Sequence, residues 1–190
     1  MKKHLLPFLL IVFPLCFCKQ SFSQFNKIGG GIILATGSEY KYEGIQYFNK
    51  SFGLNVRANY DLSKRINLVP DFNIYLPYKE TFVDGGESST TVIAFNLNGH
   101  YILNPRTRNN LYFYFLAGIH VGGWNIKDDH RSDLLNITYN YNEFFMVPGA
   151  NLGSGFQFKI GSKTEFFAEV KYTFAKTHQL VFNPGLLYRF

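Results

Sequence analysis

From Phe52 to Leu62 the chain alternates without a break. Phe52, Leu54, Val56, Ala58, Tyr60 and Leu62 share one parity, and Gly53, Asn55, Arg57, Asn59 and Asp61 share the other. Period two over that length predicts a β-strand with one apolar and one polar face. After the short Ser63-Lys64-Arg65 turn the pattern resumes, with Ile66, Leu68, Phe72, Ile74 and Leu76 set against Asn67, Asp71, Asn73 and Tyr75, so the two segments predict a hairpin. Four later segments follow the same rule: 93–103, 111–121, 150–158 and 166–174. A seventh runs from Leu180 to Phe190, and a first strand near Lys27 to Ala35 brings the count to eight.

The connections alternate too. Residues 62–65, 104–110 and 159–164 are short, whereas 36–51, 77–91 and 122–143 are long, polar and aromatic, with a modest link near 175–179. Segments of about ten residues joined by alternating turns and loops match strands that cross a bilayer at a tilt. The apolar faces carry rows of Leu, Ile, Val and Phe, and no predicted helix is present to cover them. A soluble lipocalin-like barrel binding a ligand inside would have the reverse polarity. The fold class predicted is therefore all-β, an eight-stranded antiparallel up-and-down transmembrane β-barrel whose narrow interior is filled by polar side chains.

The amino terminus adds an address. Lys2 and Lys3, the apolar run Leu5 to Phe17 and the small residues Ser21 and Ser23 predict a signal peptide over 1–23, leaving 24–190 as the barrel domain. Cys16 and Cys18 both fall in the removed segment, and Phe17 before Cys18 argues against acylation. The barrel domain then has no cysteine, which excludes disulfides and thiolate chemistry. Removing Lys2, Lys3 and Lys19 lowers the formal charge from +6 to +3, and the remaining basic residues are scattered, so no nucleic-acid partner is implied. The expected location is the outer membrane, with both termini periplasmic.

Three stretches resemble the OmpA-transmembrane-domain and OmpX-like family of small outer-membrane barrels, called porin-like in some of its members. They are Gly149-Ala150-Asn151-Leu152-Gly153-Ser154-Gly155-Phe156, Phe166-Phe167-Ala168-Glu169-Val170-Lys171-Tyr172 and the terminal Tyr188-Arg189-Phe190. The resemblance covers the whole of 24–190 and implies that Tyr188 and Phe190 form the signal read by the outer-membrane assembly machinery. It departs from full-length OmpA in lacking a peptidoglycan-binding domain. The family hosts many activities on one fold, so the likeness carries little about task.

Candidate chemistry is sparse. The polar faces place Arg57, Asp61, Asp71, Glu169, Lys171 and Arg189 inside, three charges of each sign, as a structural network in which each buried charge needs a partner. Arg57 is expected to pair with Asp71 across the hairpin. His100 and His120 fall on inward parity, and Ser154 is outward with no His beside it, so no catalytic residue is predicted and the chain is not expected to be an enzyme. Asp128, Asp129, His130 and Asp133 could gather a cation, but Lys127 and Arg131 make them a mixed-charge loop, so neither metal nor cofactor is expected. Tyr40, Tyr42, Tyr47, Trp124, Tyr139 and Tyr141 are candidate loop contacts. Gly29-Gly30-Gly31 and Pro184 predict a bulge or a thinned ladder where the first and last strands close the barrel. The function expected is a non-enzymatic outer-membrane protein whose loops bind an extracellular or envelope partner, with a small permeation protein as the alternative.

Overall fold

The computed structural model describes residues 25–36, 38–42, 45–49, 52–81, 87–104, 110–132 and 137–190; of residues 38–42, 45–49, 80, 128–132 and 137–141 it describes the backbone alone. The expected signal peptide, with Cys16 and Cys18, lies outside the described residues. Eleven strands follow in chain order: β1 Phe25–Ala35, β2 Ser38–Tyr42, β3 Ile45–Asn49, β4 Phe52–Asp61, β5 Ile66–Tyr75, β6 Tyr78–Thr81, β7 Glu87–Ile102, β8 Leu111–Ser132, β9 Ile137–Lys159, β10 Thr164–Ala175 and β11 Gln179–Arg189. Eight of them, β1, β4, β5, β7, β8, β9, β10 and β11, close into an antiparallel barrel through the β1–β11 and β5–β7 pairings. Closure removes every strand edge inside the barrel, which is the condition for crossing lipid without helices.

The alternation reads through to burial. Leu54, Phe115 and Ile119 on the outer face are 55%, 57% and 59% exposed, while Asn55, Asn98 and Lys171 on the inner face are buried. The outer rows of Leu, Ile, Val and Phe form an apolar belt that nothing among the described residues covers, so the barrel is of the membrane-spanning kind. At its turn end Tyr101, Phe158, Tyr188 and Phe190 all point outward. The short connections there are held by side chains. Ser63 Oγ accepts from the backbone N–H groups of Arg65 (3.2 Å) and Ile66 (3.0 Å), and Asn104 Oδ1 accepts from Phe113 N at 2.7 Å while its Nδ2 donates to Leu111 O at 2.9 Å.

The long connections depart from expectation. Residues 36–51 contain the β2–β3 hairpin, 77–91 contain β6 and the start of β7, and 122–143 are mostly strand. β8 and β9 run 22 and 23 residues, about twice the 9–11 that a crossing needs. Above the barrel their period continues, and the inner side turns apolar. Trp124, Ile126 and Val147 are buried on the inner side, while Lys127 and Asn142 face out. A strand whose inner side turns apolar breaks the pattern that marks the lower half, which is why this stretch reads as loop in the sequence.

The closing seam is thinned rather than bulged. β1 and β11 keep one register from Lys27↔Arg189 to Ala35↔Val181, but the ladder is interrupted between Gly31↔Gly185 and Leu34↔Phe182, where Pro184 has no N–H to give. The same interruption occurs between Arg57↔Asp71 and Tyr60↔Leu68, beside Pro70 on β5. Each proline keeps its register partner on its other side, Ala168 for Pro184 and Leu97 for Pro70. The one shift of register in these ladders lies elsewhere, between Phe25 and Lys27 on the β1–β4 side.

Candidate functional site

The interior is built in three tiers. Nearest the termini, Lys27 on β1 sits 2.5 Å from Glu165 Oε2 on β10 and donates to Tyr112 Oη at 2.8 Å. Tyr112 donates in turn to Glu165 at 3.0 Å, and Arg189 closes the tier against Glu165 Oε1 at 2.5 Å. Asn26 donates to Asp61 at the same mouth.

In the middle tier Arg57 Nη2 lies 3.0 Å from both oxygens of Glu169, which also accepts from Tyr114 Oη at 3.2 Å. Lys171 Nζ stands 3.4 Å from Asp71 Oδ2 and 3.8 Å from Glu169 Oε1, bridging the two carboxylates. Asp71 is further held by Asn96 and Asn98, each donating at 2.7 Å. Rings fill the remaining width. Arg57 lies over Phe167 at 4.3 Å, and His100 stacks on Tyr114 at 4.3 Å with its Nε2 3.6 Å from Glu169. The lumen takes these rings because glycine faces them: a Cβ on Gly155 would stand 2.6 Å from the Tyr114 hydroxyl, and one on Gly185 2.6 Å from the Phe167 ring. Toward the loop end Asn151 donates to Asn96 (2.9 Å) and Asn98 (3.0 Å) and accepts from Thr173 at 2.9 Å, while His120 Nδ1 lies 2.7 Å from Asn96 Oδ1.

The third tier is apolar. Ile33, Tyr75, Val92, Ala94, Trp124, Val147 and Val181 pack into one buried cluster, with Trp124 stacked on Phe145. Gln179 Nε2 donates to the Tyr75 hydroxyl at 2.9 Å and satisfies that polar tip of the plug. The interior therefore passes from charged to apolar toward the loop end.

The structure rearranges the expected network in three ways. Arg57 and Asp71 are backbone partners and both point inward, but the guanidinium crosses the lumen to Glu169 instead of pairing with Asp71. A stem that long spans a narrow barrel, and Asp71 is already occupied by Asn96, Asn98 and Lys171. Asp61 and Arg189 lie at the mouth, Arg189 with its side chain 33% exposed. In their place Lys27 and Glu165 are buried, so the fully buried charges among the described residues are Lys27, Arg57 and Lys171 against Asp71, Glu165 and Glu169. The balance of three to three survives with two members exchanged. Parity alone would have placed Glu165 inside, four residues before Glu169; Lys27 is hidden by the glycine run that follows it.

The loop candidates divide. Trp124 is 2% exposed and belongs to the plug, which corrects its assignment as an exposed contact. Tyr40 and Tyr42 lie on β2, Tyr47 on β3, and Tyr139 and Tyr141 on β9, placed by backbone alone. Asp128, Asp129 and His130 lie on β8, and Asp133 is outside the described residues. Tyr188 and Phe190 point outward with their rings edge to face at 6.1 Å.

No family model matches the chain, and no curated protein matches it in sequence. Solved structures do match in three dimensions. Neisserial surface protein A aligns with a TM-score of 0.57 at 12% identity over 86% of this chain and 96% of its own. The chain has the fold of the small outer-membrane barrels. OprG, an outer membrane protein of Pseudomonas aeruginosa, gives 0.57 at 12% identity over 88% and 97%, and Ail, the attachment invasion locus protein of Yersinia pestis, gives 0.53 at 16% over 88% and 99%. The likeness spans nearly the whole of each neighbour, so the barrel is the common part.

Proposed function

We propose that this barrel is a non-enzymatic outer-membrane protein that presents its loop end to a partner outside the cell. One observation carries the reading. β6, the start of β7, and the outer halves of β8 and β9 continue past the barrel rim as a sheet, and the last β10 partner of β9 is Ala175 opposite Gly149. Beyond that point Ile137 to Pro148 pairs with β8 alone among the described residues. A sheet that stands past the rim presents its strands to an extended segment of another protein. Phe144 and Met146, 54% and 69% exposed, add apolar contact on its outer face. The name of Ail as an attachment protein agrees with a binding role for that end.

Several readings go with this one. The chain is exported with cleavage after residue 23, both termini face the periplasm, and the assembly machinery reads Tyr188 and Phe190. The membrane lipid is a partner of the belt. The packed, ion-paired lumen supports a closed barrel over a permeation pore.

Orientation and binding are tested together. With single cysteines at Lys127 and Lys163, a membrane-impermeant maleimide should label position 127 on intact cells and position 163 only after lysis; the reverse would overturn the orientation. Joining Gly122 to Val147, which are register partners, by a short turn removes the protruding hairpin. Cross-linking to an envelope or surface partner should then be lost while the barrel still forms, and undiminished cross-linking would contradict the role of the sheet.

A further inference from the structure

The lipid-facing wall is not smooth. Most outward positions of β8, β9, β10 and β11 carry large side chains, among them Phe113, Phe115, Leu152, Val170 and Phe182. Of the small ones, which include Ala117 and Ala150, two fall diagonally across one ladder. Ser154 on β9 lies between Phe115 of β8 and Val170 of β10, and Ala168 on β10 lies between Phe156 of β9 and Pro184 of β11. Gly155 adds no bulk between them. The result is a groove of about 380 Å³ in the outer wall, with Ser154 and Ala168 among its floor and Phe113, Phe115, Val170 and Phe182 among its sides. Toward the turn end the rings of Phe113, Phe156 and Phe166 follow one another at 6.3 Å and 6.1 Å and wall it off.

We propose that this groove is a binding site for one acyl chain of a phospholipid, an inference that rests on the membrane-spanning reading of the barrel. The groove is continuous with the apolar belt, so its surroundings are hydrocarbon. No water is available there to fill it, and a void would forfeit the dispersion contacts of its walls. A flexible aliphatic chain is the occupant that the belt itself supplies. Depth places the groove within reach of acyl chains. Ser154 is five residues from the strand end at Lys159, about 12 Å of height at a rise of roughly 3.4 Å and a tilt near 45°. In a belt about 25 Å tall this is mid-height, where the ends of acyl chains reach. Elsewhere on the belt lipid slides past protruding side chains; here it is seated between aromatic walls and exchanges more slowly.

The test uses the full barrel reconstituted in dimyristoylphosphatidylcholine vesicles, then extracted into mild detergent for native mass spectrometry. The parent protein should retain one phospholipid adduct. Ala168→Phe and, separately, Ser154→Leu should reduce that adduct at least five-fold by filling the groove. Ala150→Phe, which adds the same bulk at an outward position outside the groove, should leave it unchanged. Equal retention in all four proteins would overturn the proposal. Loss of a protein dimer rather than of lipid on Ala168→Phe would also overturn it, assigning the groove to a second copy. Vesicle flotation separates the two failures: a chain that floats but shows no groove-dependent lipid refutes the site alone, and one that does not float refutes the membrane-spanning reading with it.

Discussion

The lower and upper halves of β8 and β9 are built from the same two strands with the same period, yet their inner sides differ. Below, Phe115, Ile119 and Leu152 face outward and His120 and Asn151 face in; above, Trp124, Ile126 and Val147 turn inward while Lys127 and Asn142 face out. A strand buries whichever face its surroundings disfavour. In lipid the polar face is the one to hide, and it survives inside because every charge finds a partner; in water the apolar face hides, and the interior becomes an ordinary core. The change of solvent along one strand is therefore written in its side chains.

The two halves should fail differently. Glu169→Leu removes the carboxylate shared by Arg57, Lys171 and Tyr114 and leaves two buried cations with one buried anion between them. The expected loss is about 3–5 kcal/mol, the usual consequence of breaking a buried pair, measured by denaturant unfolding in vesicles. Arg57→Met combined with Glu169→Leu should recover much of it. In the plug, Trp124→Ala should cost about 3 kcal/mol through the cavity alone, and should loosen the protruding sheet, seen as faster amide exchange at Val92 and Val147, with little change at Asn98. At the mouth Arg189→Gln should cost under about 1 kcal/mol, because its ion pair is partly solvated. A loss at the mouth as large as that at Glu169 would break the distinction between a buried network and its rim.

The eight crossings and the facing of their side chains were legible because a barrel in lipid imposes strict alternation on each strand. The inward set from Asn55 through Lys171 follows from parity. Three things were not legible. The partner of Arg57 depends on which group lies across the lumen, and parity is silent about that. Lys27 opens a strand whose next inward positions are Gly29 and Gly31, so no polar row marks its face. The outer halves of β8 and β9 keep their period but turn apolar inside, and a search for apolar-outward strands stops where the membrane stops. Trp124 was misplaced for that reason: it stands on the inner side of a stretch that reads as loop.

The outward row of β9 leaves the membrane between Leu152 and Asn142, and nitroxides placed singly along it measure that boundary directly. At Leu152 and Ala150 relaxation should be dominated by oxygen, which partitions into lipid, and at Asn142 by a water-soluble nickel complex, with the crossover between Pro148 and Phe144. Nickel-dominated relaxation along the whole row would contradict a membrane-spanning barrel, and oxygen-dominated relaxation as far as Asn142 would contradict a sheet standing in water.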